Sequence, residues 1–229
     1  AIEFQNQGKL DAASDLFREV IAQDPNNPHA LYSLSLISLN AGKREEAFQL
    51  CDRGVTAASN FAPLWYLHGT ILQALGNKEG ALRSFDAALG IDPNFVAVLL
   101  NSGALLRSMF RHKEALDRFN KILSIEPNHV AALGNCGIML TEFKQSEQAI
   151  AMFQRLIRVN PTYDFGLGLL FYERMHICDW TDFEDLTRQI IAGVRAGRRV
   201  CRRRPFSGDR RRCPGRRGRT GRRRAGRGV

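Results

Sequence analysis

Residues 62–95, APLWYLHGTILQALGNKEGALRSFDAALGIDPNF, decide the fold. From Ala62 to about Leu75 the apolar positions Leu64, Trp65, His68, Leu72 and Leu75 recur at helical spacing. Gly76-Asn77 breaks that pattern. It resumes from Lys78 to about Leu89 with Ala81, Leu82, Phe85 and Ala88. Asp92-Pro93-Asn94 then ends the second helix, because proline lacks an N–H and clashes inside a helix. The stretch therefore reads as two helices joined by a tight turn. Gly69 and Ala81 are expected where the two helices cross, since any larger side chain would push them apart. Phe85 is expected to fill the gap towards the next hairpin.

The same unit recurs along the chain. Ala13, Ala47, Ala81, Ala115 and Ala149 stand 34 residues apart, as do Phe17, Cys51, Phe85, Phe119 and Phe153. Two further columns keep the step: Pro25, Ser59, Pro93, Pro127 and Pro161, then Ser35, Gly69, Gly103 and Gly137. Units begin near residues 28, 62, 96 and 130, with a partial unit before them. One hairpin cannot bury its apolar stripe alone, so neighbours must stack. The expected fold is all-α, a right-handed superhelical solenoid of antiparallel helix pairs over residues 1–163. The second unit has Cys51 and Ser59 where the others have Phe and Pro, so its edges are expected to be looser.

Trp65, Gly69, Leu72, Ala81, Phe85 and Pro93 closely resemble the tetratricopeptide signature, W-x2-L-G-x2-Y…A-x3-F…P. Leu99, Gly103, Leu106, Ala115, Phe119 and Pro127 repeat it in the following unit. The resemblance implies a helical-hairpin scaffold whose first helices line a concave face.

A sixth start appears at Asp164, with Leu167, Leu170 and Phe171 in phase, and then the pattern diverges. Thr181 and Glu184 fit a capping box, and Phe183, Leu186, Ile190 and Val194 form one stripe of a new helix. Residues 164–197 are expected to cap the solenoid. Cys178-Asp179-Trp180 resembles the junction of O-linked N-acetylglucosamine transferases, particularly their bacterial and plant relatives. Thr181 to Gly197 is similar to the amphipathic helix that leads into their catalytic domain. Asn101 and Asn135, one period apart, match the asparagine ladder that holds extended peptides in that family, although Ser33 and Leu67 interrupt it here. This resemblance implies a substrate-recruiting arm. The sequence carries no nucleotide-sugar site, catalytic base or Gly-rich phosphate loop, so the chain is expected not to be an enzyme.

The formal net charge of +10 divides unevenly. Residues 195–229 hold sixteen Arg, one Asp and no Lys, leaving residues 1–194 with a net charge of −5. Residues 198–229, rich in Arg and Gly, cannot bury a core and are expected to be disordered. Two readings of this tail stand. It could track nucleic-acid phosphates, though Phe206 is its only aromatic residue. Alternatively, its composition of Arg, Gly, Pro and Ala is what GC-rich codons give out of frame. No apolar run reaches the ~18 residues that span a bilayer. The five cysteines, Cys51, Cys136, Cys178, Cys201 and Cys213, are odd in number and form no CxxC pair. A disulfide framework, a zinc site and any other cofactor are therefore not expected, and a reducing, cytoplasmic location is.

Candidate binding residues lie on the first helix of each unit: Tyr66, Thr70, Gln73, Asn101, Arg107, Asn135, Ile138 and Thr141. Asparagine amides pair with peptide N–H and C=O groups, so Asn101 and Asn135 either hold a ligand or bond to a neighbouring helix. His68 reads as a core residue, His112 and His129 as solvated turn residues, and Trp65 and Trp180 as packing residues. The expected partners are proteins or extended peptides bound in the groove, with nucleic acid only through the tail. The chain would then be a recruiting arm or an independent adaptor.

Overall fold

The computed structural model describes residues 10–200. Among them are eleven helices and no strand, and the expected superhelical solenoid is the fold. α1 (Leu10–Gln23) is the second helix of the partial unit. Four full hairpins follow: α2 (Pro28–Asn40) with α3 (Arg44–Ala57), α4 (Ala62–Ala74) with α5 (Lys78–Ile91), α6 (Val96–Ser108) with α7 (His112–Ile125), and α8 (Val130–Glu142) with α9 (Ser146–Val159). α10 (Gly166–His176) and α11 (Phe183–Arg195) close the described chain. Each helix packs on the one before it, so the hairpins stack in sequence order. No described helix is long and apolar enough to cross a membrane.

Turns of both kinds repeat with the period. Each first helix ends in one left-handed residue, Gly42, Gly76, Phe110 and Lys144 in turn, with φ from 60° to 83°. The following N–H reaches back to a carbonyl five residues earlier, as from Asn77 to Leu72 at 2.9 Å and from Arg111 to Leu106 at 3.0 Å. Glycine takes this conformation freely, whereas Phe110 and Lys144 carry a Cβ into it. Each second helix ends in a turn closed by bonds such as Phe95 N–H to Asp92 C=O at 3.2 Å. Proline pre-sets this turn in most units. With Ser59 in its place, Phe61 N–H still reaches Ala58 C=O at 3.2 Å, so this edge of the second unit keeps the common geometry.

The crossing within each hairpin explains the small column. A Cβ on Gly69 would lie 2.6 Å from the Phe85 ring, on Gly103 2.7 Å from Phe119, and on Gly137 2.4 Å from Phe153. Phe85 thus presses on the glycine of its own hairpin rather than only reaching towards the next. The three rings are fully buried. The second unit makes the opposite trade, with Ser35 facing a column that holds Cys51, and both are fully buried. The Ser35 hydroxyl donates to the Leu31 carbonyl at 2.6 Å, and the Cys51 thiol to the Leu64 carbonyl at 3.4 Å. One residue gained bulk where the other lost it.

The regular packing stops at α10. Cys178, with φ 57°, continues the left-handed column, so α10 is a true first helix. Phe171 and Phe183 then occupy the two columns that are small in the full units, with ring centroids 5.5 Å apart. Two rings cannot cross as closely as Gly and Ala do, and α11 packs loosely on α10. The expected capping box is not formed. Buried Arg174 donates to the Thr181 carbonyl at 2.5 Å and lies 3.5 Å from the Asp182 carboxylate. This clamp leaves Asp182, at φ 55°, as the residue before the helix, without a side-chain cap. The expected stripe is mostly uncovered, because only Leu186 of it is buried and Val194 is 57% exposed. Trp180, expected to pack, is 55% exposed, with its ring edge-on to Phe183 at 5.3 Å between centroids.

Residues 198–200, read as the head of the tail, turn back onto α10. Phe165 N–H donates to the Arg199 carbonyl at 2.6 Å and Gly168 N–H to the Val200 carbonyl at 3.2 Å. Buried Val200 sits where a Cβ on Gly193 would be. The remaining tail expectations fall on 201–229, outside the described residues, as do 1–9. Cys178 is disulfide-bonded, which the expectation of a reducing environment does not anticipate.

Two outcomes follow from the crossing and the turn. Gly69→Ser alone is expected to cost about 1–3 kcal/mol by overpacking. Combined with Phe85→Cys it recreates the pairing of the second unit, and a denaturation double-mutant cycle should show favourable coupling of roughly 1 kcal/mol or more. Phe110, 82% exposed and left-handed, loses almost no packing on replacement. Phe110→Gly is expected to stabilise the chain by about 0.5–1 kcal/mol in the same assay.

Candidate functional site

The first helices approach one another across repeats. α2 touches α4, and side chains bridge α4 to α6 and α6 to α8. They therefore line the inner side of the curve. The 34-residue register sets out the surface in columns: Tyr32, Tyr66, Leu100 and Gly134; Leu36, Thr70, Ala104 and Ile138; Leu39, Gln73, Arg107 and Thr141. Most are half-buried, between core and solvent, while Gln73 is exposed and Gly134 buried. Gly134 is small because the Tyr163 hydroxyl lies 2.9 Å from where its Cβ would be. Tyr66 in turn packs on Phe95, with ring centroids 5.5 Å apart.

Two pairs of the expected binding residues are joined. Asn101 Nδ2 donates to the Tyr66 hydroxyl at 2.8 Å. Arg107 donates to Asn135 Oδ1 at 2.8 Å, and Asn135 Nδ2 donates to the Ala131 carbonyl at 2.9 Å. Both asparagines thus bond to neighbouring helices in the free chain, which is one of the two roles open to them. The Thr70 and Thr141 hydroxyls donate to carbonyls of their own helices, those of Tyr66 (2.9 Å) and Gly137 (3.0 Å). Ile138 packs against the cores of two adjacent hairpins. Tyr32, Leu36, Leu39, Leu100 and Ala104 belong to the same surface and were missed. The register alone would have found them, since each stands one period from a residue already singled out.

Charge is sorted between the two helix sets. α2 and α4 contain no Asp, Glu, Lys or Arg. α6 contains only Arg107. α8 contains only Glu142, its last residue, whose carboxylate lies 3.2 Å from His112. In the full hairpins the arginine–carboxylate pairs lie on or beside the second helices, such as Arg118 with Asp86 at 2.5 Å and Arg18 with Glu46 at 3.5 Å. The inner face is a neutral surface of hydroxyl, amide and aliphatic groups with one cation near its middle. Burial raises the Tyr32 pKa, with smaller contributions from Tyr66 and Cys51, so its phenol stays protonated.

Outside this face lies a cavity of about 440 Å³ between α3 and α5, walled by Phe48, Trp65, Leu72 and Arg83 and floored by His68. Ser84 donates its hydroxyl proton to the Gly80 carbonyl at 3.0 Å, so it accepts from His68 Nδ1–H at 2.9 Å. Burial lowers the His68 pKa, opposed by the Asp52 carboxylate 3.6 Å away. His68 is therefore a neutral, bonded core residue, as expected. His112 and His129 are not merely solvated. His129 caps α8, accepting from Ala132 N–H at 3.1 Å, and His112 faces Glu142. Burial pushes the Cys51 and Cys136 thiols up to about 12, so neither is a nucleophile near neutral pH. Among the described residues no cluster of His, Cys, Asp or Glu could hold a metal ion.

A stack of helical hairpins with a continuous neutral inner face defines a helical-repeat solenoid. Models of the tetratricopeptide repeat match residues 1–63 and 62–95, so this part of the chain carries tetratricopeptide repeats. The chain's structure is similar to MamA, at 20% identity and TM-score 0.65, over 69% of this chain and 93% of that one. It is similar to YrrB, described as a TPR protein with an unusual peptide-binding site, at 20% identity and TM-score 0.63, over 75% and 87%. A tetratricopeptide repeat protein from Parabacteroides merdae ATCC 43184 matches at 18% identity and TM-score 0.66, over 85% and 76%. No curated protein matches the chain in sequence.

Native alkylation at pH 8 followed by peptide mass spectrometry should leave Cys51 and Cys136 unlabelled, with full labelling after unfolding. Their folded pKa values lie above that of an ordinary free thiol. The unfolded chain therefore loses these protons first as pH rises, and stability should fall between pH 9 and 12. Replacing both by Ala should flatten that fall in pH-dependent melting curves.

Proposed function

We propose that the inner face binds an extended, largely uncharged polypeptide segment of a partner protein, and that the chain is a protein-interaction scaffold without catalysis of its own. The observation that carries this reading is the sorting of charge. Four successive inner helices present hydroxyls, amides and aliphatic groups, with only Arg107 and the terminal Glu142 charged, while the arginine–carboxylate pairs of these units lie on or beside the outer helices. Such a surface suits peptide backbone and apolar side chains better than a charged ligand. That YrrB, a fold neighbour, is described with a peptide-binding site is consistent with it.

The junction Cys178-Asp179-Trp180 and the Asn101 and Asn135 pair support a finer reading, that of the recruiting arm of a transferase of the O-linked N-acetylglucosamine type. An arriving peptide would then exchange with the Tyr66–Asn101 and Arg107–Asn135 bonds. An independent adaptor would use the same groove. Nucleic-acid binding rests on the arginines of 202–227, outside the described residues, and predicts RNA affinity that disappears on deletion of 201–229.

The test is fluorescence anisotropy with an array of uncharged peptides of about nine residues, ~30 Å when extended. Binding is expected to change little between about 0.1 M and about 1 M salt. Ala104→Trp, which fills the middle of the groove, should weaken it at least about tenfold, roughly 1.4 kcal/mol. A circular dichroism spectrum should confirm that this variant folds. An array without binders, or binding indifferent to Ala104→Trp, would refute the proposal.

A further inference from the structure

The cavity between α3 and α5 exists because two short side chains stand on α5 where other second helices carry long ones. One period further on, Arg118 of α7 pairs with Asp86 of α5 at 2.5 Å across the matching gap. Ser84 occupies the place of Arg118, so Asp52 of α3, the counterpart of Asp86, has no arginine opposite it. The second short residue is Ala87. Its places on α3 and α9 hold Arg53 and Arg155, which donate to the Pro25 carbonyl at 3.0 Å and the Pro127 carbonyl at 2.5 Å. The corresponding carbonyl here, that of Ser59, accepts instead from Trp65 Nε1 at 2.8 Å, which pins the indole at the wall of the cavity. The cavity measures about 440 Å³, whereas about 150 Å³ is enough to take up benzene.

His68 adds a polar anchor. Phe48 stacks on its ring at 5.4 Å between centroids, and Trp65 meets it edge-on at 6.1 Å. Its Nδ1–H is committed to the Ser84 hydroxyl at 2.9 Å, so Nε2 carries the lone pair. His68 is only 8% exposed, and its Nε2 is buried without a hydrogen-bond partner. The Asp52 carboxylate, 3.6 Å from Nε2, is a second acceptor and cannot satisfy it. A buried acceptor without a donor is costly, and the group that relieves it is an O–H or N–H.

We propose that this cavity binds an aromatic ring carrying a hydrogen-bond donor, a phenol or an indole, with the ring against Phe48 and Trp65 and the donor on His68 Nε2. The site lies on the outer side of the stack and does not depend on the inner face being a binding surface. Aromatic walls favour a ring beyond the apolar area it buries, and the single buried acceptor selects rings with a donor over those without. The ring arrives either as a free small molecule or as a Tyr or Trp side chain of a partner, and both present the same chemistry.

The test is a set of NMR titrations of the full chain, read at the Trp65 indole N–H and the Ala87 amide. The probes are p-cresol, toluene, and the capped tripeptides Gly-Tyr-Gly and Gly-Phe-Gly. p-Cresol should bind about tenfold tighter than toluene, and the Tyr peptide should exceed the Phe peptide by a similar factor if a side chain is the source. Binding of cresol but not of the Tyr peptide names a free molecule. Ala87→Arg, which supplies the residue found on α3 and α9, should abolish binding of every probe. His68→Phe should erase the preference for cresol and leave toluene affinity unchanged. Melting curves check that both variants fold; should His68→Phe fail to, the cresol–toluene comparison and Ala87→Arg decide the matter. Equal affinity for cresol and toluene, or binding that survives Ala87→Arg, would overturn the proposal. So would the failure of every probe to bind up to its solubility.

Discussion

A phenylalanine ring pressed against a glycine sets the geometry from which the rest follows. Where Gly69, Gly103 and Gly137 meet Phe85, Phe119 and Phe153, no side chain can be added without a contact under 3 Å. That contact holds the two helices of each hairpin close. It also leaves each hairpin with apolar surface that only the next hairpin can cover, so the stack is an outcome of burial. Ser35 with Cys51 shows that the constraint acts on the pair. Volume moved from one column to the other and both side chains stayed fully buried.

Stacking in this way separates two surfaces with different physics. The outer helices meet water and carry the ion pairs, which cost little to place there and add little to stability. The inner helices face each other across a short distance. There, half-buried polar groups bond from one repeat to the next, as Asn101 does to Tyr66 and Arg107 to Asn135. The groove is thereby braced and neutral at once. A polypeptide with its own hydrogen-bonding backbone is the ligand we propose for such a surface.

The C-terminal end shows what happens when the constraint is lifted. α10 keeps the phase of a first helix up to the left-handed Cys178, but Phe171 and Phe183 stand where small residues allowed close crossing. α11 therefore leans away, with Leu186 the only buried member of its expected stripe, and residues 198–200 turn back over Gly193 to the start of α10.

The sequence alone determined the period, the hairpins and their order, because each depends on local spacing: apolar residues at helical intervals, turn residues between them, and small and aromatic columns at a constant step. It also held the inner-face columns, which needed only to be read across all units rather than in the later ones. What tertiary structure decided was pairing. Tyr66 and Asn101 lie 35 residues apart, and Arg107 and Asn135 lie 28 apart. Whether such side chains meet depends on rotamers and on the rotation between repeats, neither of which leaves a mark on local pattern. The same holds for Arg174, whose grip on the Thr181 carbonyl overrode a capping box that the local sequence allowed. It holds too for Trp180, which is exposed where packing was expected.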